Sequence, residues 1–249
     1  MLELTLDTRV EIARSSLRHG AGLFETLRMS AGKPRRLELH LERLASGCAF
    51  LGFEPPPDAE AVWAFLRAHE VGASLESTVL RLLAADGKLV AFAESLPPGG
   101  APFVDIGRSL ETVRFSGNPL NRFKTVSYLE NLRIAQEAQA RGLFEVIAGN
   151  ERGVLTDGGR TTLFAVIGGR AFTPPVGDGA LPGIARRVLL DAGLAVEASL
   201  RWEDLARAEA VFVANALRGV LPVARIDTHG SLPVEHPLVA RAAACLEEK

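Results

Sequence analysis

The sequence predicts a protein of mixed class, α+β or α/β, with a smaller N-terminal α/β domain and a larger C-terminal domain of mixed helices and strands. The 249 residues are 47% hydrophobic, which is enough for one large core or two smaller ones. Strand-like and helix-like segments alternate along the chain without internal repeats. A stretch rich in proline and glycine at 96–102 leads towards Ser116–Pro119, near which we place the boundary. We therefore assign 1–105 to the N-terminal domain, 106–118 to a connection and 119–249 to the C-terminal domain.

The N-terminal domain is predicted to combine short strands with two helices. Apolar residues at helical spacing predict a helix over Leu37–Leu51, and Asp58 is typical of the N-cap of a second helix that ends near Glu70. The dipeptide Asp86-Gly87 is typical of a hairpin turn between two strands. The predicted strands are Leu2–Leu6, the segment that follows the glycines at 20 and 22, Ser77–Ala84 and Leu89–Ser95.

The C-terminal domain is predicted to hold two longer helices among short strands. One face of apolar residues predicts a helix over Tyr128–Arg141, with Gly142 as its C-cap. Pro182-Gly183 opens a second helix, which runs to Asp191. The other predicted elements are an extended piece at Phe103–Val113, strands at Phe144–Ala148, Gly153–Thr156, Thr161–Ile167, Arg170–Thr173, Ala210–Ala214 and Gly219–Ile226, and a short helix at Glu203–Ala208.

Charge and composition exclude several classes of function. The net charge is −2 and the sequence pI is about 6.2, so nucleic acid is not an expected partner. No apolar run has the length of a membrane span, and the N-terminal residues lack the pattern of a secretory signal. Cys48 and Cys245 stand far apart in helix-like stretches, as buried apolar residues do, and they indicate neither a disulfide nor a metal site. We expect a cytoplasmic protein that acts on a small molecule.

Lys124 is the first candidate for chemistry, because its setting differs from that of the other lysines. The chain has only four lysines. Lys33 and Lys88 stand in turn contexts and Lys249 is the last residue, whereas Lys124 lies between Phe123 and Val126, ahead of a predicted helix. Apolar surroundings disfavour the charged amine, so its pKa falls and it can act as a nucleophile or base. The alternative is a surface lysine whose stem covers apolar neighbours.

Three further features combine with this lysine. Asp157 lies in a glycine-rich segment after a predicted strand. The predicted helix that begins near Gly183 offers backbone N–H groups and a helix dipole to an anion. Arg43, on the Leu37–Leu51 helix, could bind a phosphate with two hydrogen bonds. A lysine, a carboxylate, an arginine and a helix N-terminus are the groups that pyridoxal phosphate needs, although each also has an ordinary structural role in a turn, a helix start or a solvated helix face.

These residues stand in blocks that resemble the class IV, or fold-type IV, pyridoxal-phosphate enzymes. That family includes branched-chain and D-amino-acid aminotransferases and 4-amino-4-deoxychorismate lyase. The resemblance extends from about Gly20 to Asp227, and its blocks come in the family's order. The blocks are G-A-G-L-F-E-T-L-R at 20–28, H-L-E-R-L at 40–44, K-T-V-S-Y-L-E-N-L at 124–132, G-V-L-T-D-G-G-R-T-T-L-F-A-V at 153–166, and T-P-P with A-L-P-G-I-A-R within 173–186.

The resemblance implies a two-domain fold like that of D-amino-acid aminotransferase, with pyridoxal 5′-phosphate as cofactor. Lys124 would carry the cofactor and move protons during the reaction. Tyr128 would lie near the ring oxygen of the cofactor. Asp157 would keep the ring nitrogen protonated, although it stands where the family has the longer glutamate. Thr162 replaces the family's usual asparagine, so a supporting hydrogen bond is expected to differ.

The resemblance also implies how the phosphate is bound. Arg43 would contact it directly. Gly183 begins the helix whose Ile184–Ala185 pair would donate backbone N–H groups, and the Ala216–Leu217 pair corresponds to the family's second phosphate loop. On the substrate side, Asp86-Gly87 replaces the family's usual arginine-glycine pair. The resemblance therefore implies the cofactor contacts more directly than the substrate contacts.

Two features favour the lyase over an aminotransferase. The segment Val211–Val223 resembles the lyase form, with N-A-L where branched-chain aminotransferases have G-T-A. Thr26 supplies a hydroxyl where those enzymes tend to have glycine, and we expect it to act with Lys124 in catalysis, although it also suits an ordinary strand. Candidate substrate contacts are Phe24, Arg81 and Arg218, although each arginine also suits an ordinary surface position. The alternatives are an aminotransferase for branched-chain or D-amino acids and a non-catalytic relative. The resemblance also implies that the protein is a homodimer.

Overall fold

The computed structural model describes residues 1–9, 14–30, 32–73, 78–96 and 100–247. The chain forms two compact units. The N-terminal unit comprises Met1–Gly99 and Phe123–Ser127, and the C-terminal unit comprises Gly100–Arg122 and Tyr128–Lys249. The short segment around Lys124 therefore returns to the N-terminal unit after the chain has already entered the other one.

A five-stranded sheet with helices forms the N-terminal unit. The strand order is β1-β5-β4-β2-β3; β1 runs parallel to β5, and the other neighbours are antiparallel. The elements are β1 Glu3–Thr5, α1 Ser15–His19, β2 Leu23–Ser30, β3 Lys33–Pro34, α2 Leu37–Leu51, α3 Ala59–Ala68, β4 Thr78–Ala85 and β5 Lys88–Ser95.

Strand β2 has two faces of different character. Leu23, Glu25, Leu27 and Met29 are buried, while the residues between them are only half-buried. The leucines and Met29 join a core with the apolar residues of α2, α3 and β4. Asp58 caps α3 by accepting a hydrogen bond of 2.8 Å from the backbone N–H of Ala61, as the sequence predicted. One face of the sheet thus packs on the helices, and the other carries Phe24, Thr26 and Arg28.

A nine-stranded sheet dominates the C-terminal unit, in the order β11-β10-β9-β12-β13-β6-β7-β8 with β14 beside β13. The pairs β6–β7, β6–β13 and β10–β11 are parallel, so the sheet is mixed. Its elements are β6 Val104–Arg114, α4 Leu129–Ala140, β7 Glu145–Asn150, β8 Leu155–Gly158, β9 Thr162–Ile167, β10 Arg170–Thr173, α5 Ile184–Asp191, β11 Val196–Glu197, β12 Ala210–Asn215, β13 Gly219–Ile226, β14 Gly230–Ser231 and α6 Pro237–Glu247, with 3-10 helices at Pro119–Arg122, Val176–Asp178 and Trp202–Arg207.

Both faces of this sheet are covered, which explains why β9 and β12 read as continuous apolar runs. Leu163 and Val211 belong to one core cluster, with Trp202. Phe164 and Phe212 alternate with them and belong to a second cluster, together with apolar residues of α5 and α6. The rings of Phe164 and Phe212 stack with centroids 4.6 Å apart. The strands that lead to the candidate site are therefore held from both sides.

The structure differs from the sequence-based expectations in a few places. Most of the predicted connection at 106–118 lies in β6, because Ile106–Arg108 and Val113–Arg114 pair with β7 and Ile106 also pairs with β13. Asp157 lies within β8 instead of in a loop after a strand. The helix α1 was not predicted, and α6 was indicated only by the helix-like stretch around Cys245. The short helix predicted at Glu203–Ala208 is the 3-10 helix Trp202–Arg207. Ser77, the predicted start of β4, lies outside the described residues.

No helix in the described ranges combines the length and the apolar character that a membrane span requires.

Candidate active site

The backbone around Lys124 forms a short ladder with the start of β2. The N–H of Phe24 donates to the carbonyl of Lys124 over 2.8 Å, and the N–H of Val126 donates to the carbonyl of Gly22 over 2.9 Å. Thr125 forms an antiparallel bridge with Leu23. Lys124 therefore lies opposite Phe24, and its Nζ is 4.2 Å from the centre of the Phe24 ring. The ladder fixes the backbone of the lysine, and the ring face attracts its ammonium form.

Thr26 and Arg81 are directly paired neighbours on β2 and β4. Arg81 donates from Nη1 to Oγ1 of Thr26 over 2.8 Å and from Nε to Glu94 over 3.0 Å. Side chains two residues apart on a strand share a face, so Thr26 lies on the same face as Phe24, which contacts the Lys124 amine. Because the Thr26 oxygen accepts from Arg81, its own O–H remains as the donor.

Arg43 is held from the opposite face of β2 by Glu25. The Arg43 guanidinium donates from Nε and from Nη2 to the two oxygens of Glu25, both over 2.7 Å. His40 Nδ1 lies 2.6 Å from Oε2 of the same carboxylate. Glu25 and His40 are each 1% exposed, and the Arg43 side chain is 11% exposed. We call these three residues the Glu25 network.

Burial and charge act in opposite directions on this network. Burial raises the pKa of Glu25, but the charge of Arg43 and the contact with His40 outweigh it and hold the pKa at about 2. Burial lowers the pKa of His40, and the attraction of Glu25 does not compensate. His40 is therefore neutral at pH 7 and donates its Nδ1–H to a charged Glu25.

In the C-terminal unit, the carboxylate of Asp157 is buried and held from two sides. Its Oδ2 accepts the backbone N–H of Leu181 over 2.9 Å, and its Oδ1 lies 3.1 Å from Nε of Arg114. Arg114 is itself buried, at the end of β6, and donates to Glu130 over 2.9 Å. Asp157 is thereby fixed in place even though it is shorter than the glutamate of the family.

The turn after Asp157 is organised by a second buried carboxylate, that of Glu145. Glu145 accepts the backbone N–H groups of Gly159 and Arg160, over 3.2 and 3.1 Å, and the hydroxyl of Thr161 over 3.1 Å. Burial raises the pKa of Glu145, and the nearby Arg160 lowers it only in part. The turn therefore depends on backbone donors that converge on one acid.

Tyr128 contacts the same turn. Its hydroxyl donates to the carbonyl of Gly159 over 2.9 Å, and the side-chain amide of Asn131 donates to that carbonyl over 3.0 Å. A Cβ added at Gly159 would lie 2.7 Å from the backbone oxygen of Asn131. Only glycine allows this approach, which holds Tyr128 against the segment that carries Asp157.

The start of α5 has the features of an anion site. Gly183 is the N-cap and supplies no capping side chain, so the N–H groups of the Ile184–Ala185 pair are not capped from position 183. A Cβ at Gly183 would lie 2.9 Å from Oγ1 of Thr162. Thr162, which replaces the expected asparagine, thus packs closely beneath the helix start.

The loop between β12 and β13 is organised by Asn215. Its Oδ1 accepts the backbone N–H groups of Leu217 and Arg218, over 3.1 and 2.8 Å, and its Nδ2 donates to the carbonyl of Arg160 over 3.2 Å. The N–H of Leu217 is therefore already bonded within the loop. The roles of Ala216 and Leu217 in phosphate binding, and of Arg218 in substrate binding, stay predictions.

Each unit thus gathers part of the predicted set. Lys124, Phe24, Thr26 and Arg81 share one face of the N-terminal sheet, and Arg43 lies beyond its other face. Tyr128 and Asp157 meet the same turn of the C-terminal unit. Sequence reasoning missed the partners that fix them, which are Glu25, Arg114 and Glu145. The sequence did contain a signal for Glu25, because it occupies a position of β2 where the alternating pattern predicts an apolar residue. A buried acid at such a position needs a partner.

Comparison with known proteins identifies the family to which the chain is similar. The pattern of a family described as "Amino-transferase class IV" matches residues 22–226. The chain is 26% identical, over 251 residues, to the branched-chain-amino-acid aminotransferase of Salmonella typhimurium (strain LT2), covering 89% of this chain and 81% of that protein. It is 25% identical, over 230 residues, to the aminodeoxychorismate lyase of Bacillus subtilis (strain 168), covering 84% and 78%.

A solved structure shows the shared fold. A hypothetical aminotransferase from Mycobacterium tuberculosis, in its alpha-ketoglutarate and PMP bound form, superposes with a TM-score of 0.85 and 20% identity, covering 97% of this chain and 93% of that one.

Proposed function

Because the chain belongs to the class IV aminotransferase family, whose enzymes use pyridoxal 5′-phosphate, we propose that it is a 4-amino-4-deoxychorismate lyase. Such an enzyme splits its substrate into 4-aminobenzoate and pyruvate. Its fold is the α+β fold of fold-type IV enzymes, with two mixed sheets. The family membership makes it a pyridoxal-phosphate enzyme; the choice of the lyase reaction is our proposal.

The described residues fit this cofactor chemically. In the N-terminal unit, Lys124 offers an amine for the aldehyde and Arg43 offers a guanidinium for the phosphate. In the C-terminal unit, Asp157 is a buried carboxylate suited to a protonated ring nitrogen, and the start of α5 offers N–H groups to a phosphate. Tyr128 contributes a hydroxyl beside the turn that carries Asp157. We propose these roles for the residues that the sequence blocks indicated.

The observation that carries the lyase proposal is the hydroxyl of Thr26. It lies on the sheet face whose Phe24 ring contacts the Lys124 amine, and its oxygen accepts from Arg81 over 2.8 Å. Because the oxygen accepts from Arg81, the O–H is left to donate to another group. An elimination needs such a donor for the departing oxygen, whereas transamination has no departing oxygen.

Bound pyridoxal 5′-phosphate supplies an electron sink for the carbon that loses a proton. In our proposal Lys124 removes the proton from the amine-bearing carbon of the substrate. Thr26 then donates a proton to the ether oxygen as the carbon–oxygen bond breaks and regains one from the ammonium of Lys124. The enol that departs becomes pyruvate. The ring that remains is aromatic, which provides most of the driving force. No atom is gained or lost overall, so the reaction needs no second substrate.

The direct test is to incubate the purified protein with 4-amino-4-deoxychorismate. We expect 4-aminobenzoate and pyruvate in equal amounts without any added amino acceptor. A protein that forms neither product would contradict the proposal, provided that it has bound pyridoxal 5′-phosphate.

The second candidate is an aminotransferase for branched-chain or D-amino acids, and the 26% identity to the Salmonella branched-chain aminotransferase favours it. This activity requires an acceptor keto acid. For each molecule of acceptor that is consumed, one molecule of the donor's keto acid is formed. An assay with branched-chain or D-amino acids and 2-oxoglutarate distinguishes the two reactions, since the lyase consumes no acceptor.

We also propose that the protein is a homodimer. Five large apolar side chains are at least half exposed on β6, on the loop after it and on α4. They are Leu110, Val113, Phe115, Leu129 and Leu132. Arg133 of α4 and Glu111 of β6 pair over 2.6 Å, so these two elements are held together. An exposed apolar surface of this kind is typical of a subunit interface. Sedimentation should give a dimer, and Leu129→Asp should shift it towards monomer.

A further inference from the structure

We propose that Glu25 is a positioning residue, which orients Arg43 so that one edge of its guanidinium faces the cofactor phosphate. This inference rests on the proposed role of Arg43 in the function above. Neither the sequence blocks nor the reaction proposed for Lys124 and Thr26 assigns a role to Glu25.

The contacts of Glu25 fix the plane of the guanidinium. Nε and Nη2 form one edge of Arg43, and both donate to the carboxylate over 2.7 Å. A planar group held at two adjacent donors cannot rotate about its own axis. Nη1 takes no part in the pair with Glu25, and the edge that it forms with the second hydrogen of Nη2 has the spacing for two oxygens of a phosphate.

His40 completes the arrangement from the carboxylate side. Its neutral ring donates to Oε2, which already accepts from Nη2 of Arg43. The carboxylate therefore has a donor on each oxygen, and Oε2 has two. Glu25 also balances the charge of Arg43, so the contribution of Arg43 to phosphate binding comes from oriented N–H groups more than from net charge.

The surroundings of Glu25 argue against a purely stabilising role. Its neighbours on the buried face of β2, Leu23 and Leu27, are 2% and 0% exposed, so the site lies in an apolar core. A buried ion pair contributes little net stability compared with apolar side chains of similar volume. The ion pair is thus better explained by what it orients than by what it stabilises.

The position of Glu25 in the chain adds a second consequence. Its neighbours in the strand are Phe24, whose ring contacts the Lys124 amine, and Thr26. Both lie on the face of the strand opposite to Glu25. Strand β2 therefore carries Phe24 and Thr26 on one face and, through Glu25 on its other face, holds Arg43 of α2. The distance between the phosphate anchor and the reactive amine is therefore set within the N-terminal unit.

The test compares the affinities for pyridoxal 5′-phosphate and for pyridoxal, which lacks the phosphate, by absorbance titration. For Glu25→Gln we expect the Kd for the phosphate form to rise roughly tenfold to hundredfold, with the Kd for pyridoxal unchanged. Equal losses for both compounds would indicate a general structural role and overturn the inference, as would no loss for either. Failure of the wild-type protein to bind the phosphate form would overturn the proposed function itself.

Two further variants guard against misfolding. Arg43→Lys keeps the charge opposite Glu25 but lacks the planar fork, so we expect the same selective loss of phosphate affinity with a folded protein. Wild-type affinity in this variant would overturn the inference even if Glu25→Gln does not fold. Glu137→Gln is the matched control, because Glu137 is also buried and paired with an arginine, Arg141, in the other unit. It should leave the ratio of the two affinities unchanged.

Discussion

The two units prepare their functional side chains in different ways. In the N-terminal unit, Lys124, Thr26 and Arg43 lie on or beside one regular strand, and side-chain pairs orient Thr26 and Arg43. In the C-terminal unit, Asp157 and Tyr128 meet a turn that is built from backbone N–H and carbonyl groups around Glu145 and Gly159. Side-chain substitutions in the first unit should therefore change the chemistry while preserving the fold. Backbone-directed changes in the second unit should affect stability first.

The largest expected effect comes from Lys124→Ala. Removal of the amine should abolish the covalent attachment of the cofactor and its violet-region absorbance, and should lower turnover by about a thousandfold or more. Thermal unfolding of the apoprotein should stay close to the wild-type value, because the backbone ladder with β2 does not need the side chain. Lys88→Ala, at the end of the β4–β5 hairpin, is the control and should keep both absorbance and turnover. Retained absorbance in Lys124→Ala would contradict the assignment.

A smaller effect is expected for Thr26→Val, which keeps the shape and removes the hydroxyl. Loss of one proton donor should lower kcat for pyruvate release by about a hundredfold, with cofactor affinity unchanged. Measurement of kcat and of the cofactor Kd separates these two effects. If kcat is unchanged, Thr26 is an ordinary strand residue and the proton comes from another group.

In the C-terminal unit, Gly159→Ala should act on stability. The added Cβ would approach the backbone oxygen of Asn131 to 2.7 Å, so the turn must move. We expect a loss of about 1–3 kcal/mol in the free energy of unfolding, measured by urea denaturation. Gly177→Ala is the matched control, because the added Cβ there has no heavy atom within 4 Å and the backbone φ, as at Gly159, is not positive; it should lose less. Equal losses would mean that the close approach to Asn131 is unimportant.

The difference between the units also predicts opposite responses to acid. The pKa of Glu25 is lowered from 4.5 to about 2, so its stabilising contribution is complete above about pH 4.5 and is lost as the pH falls through 2. Burial raises the pKa of Glu145, so its contribution is complete below the ordinary value and is lost as the pH rises through the raised value. Between pH 7 and 5, wild-type protein should therefore gain stability relative to Glu145→Gln. The reverse trend in the free energy of unfolding would contradict the raised pKa.

Local signals in the sequence predicted much of this structure. Leu37–Leu51 was predicted with the bounds that the structure has, because apolar residues recur at helical spacing along it. Lys124 was singled out because its apolar setting is unusual in a chain with so few lysines. The ion pair of Arg114 with Asp157 could not be predicted, because it joins residues of separate strands and neither has a local pattern. The Glu25 network also joins residues of separate elements, β2 and α2, so its contacts could not be predicted. Only the presence of an acid at an apolar position of β2 indicated that Glu25 has a buried partner.

The central claim is that Lys124 is joined covalently to pyridoxal 5′-phosphate. The most direct measurement is borohydride reduction of the protein after incubation with the cofactor, followed by mass mapping of its peptides. The account predicts one phosphopyridoxyl group, on the peptide that contains Lys124, with loss of the violet absorbance. Labelling at Lys33 or Lys88 instead, or no labelling with the cofactor in excess, would contradict it.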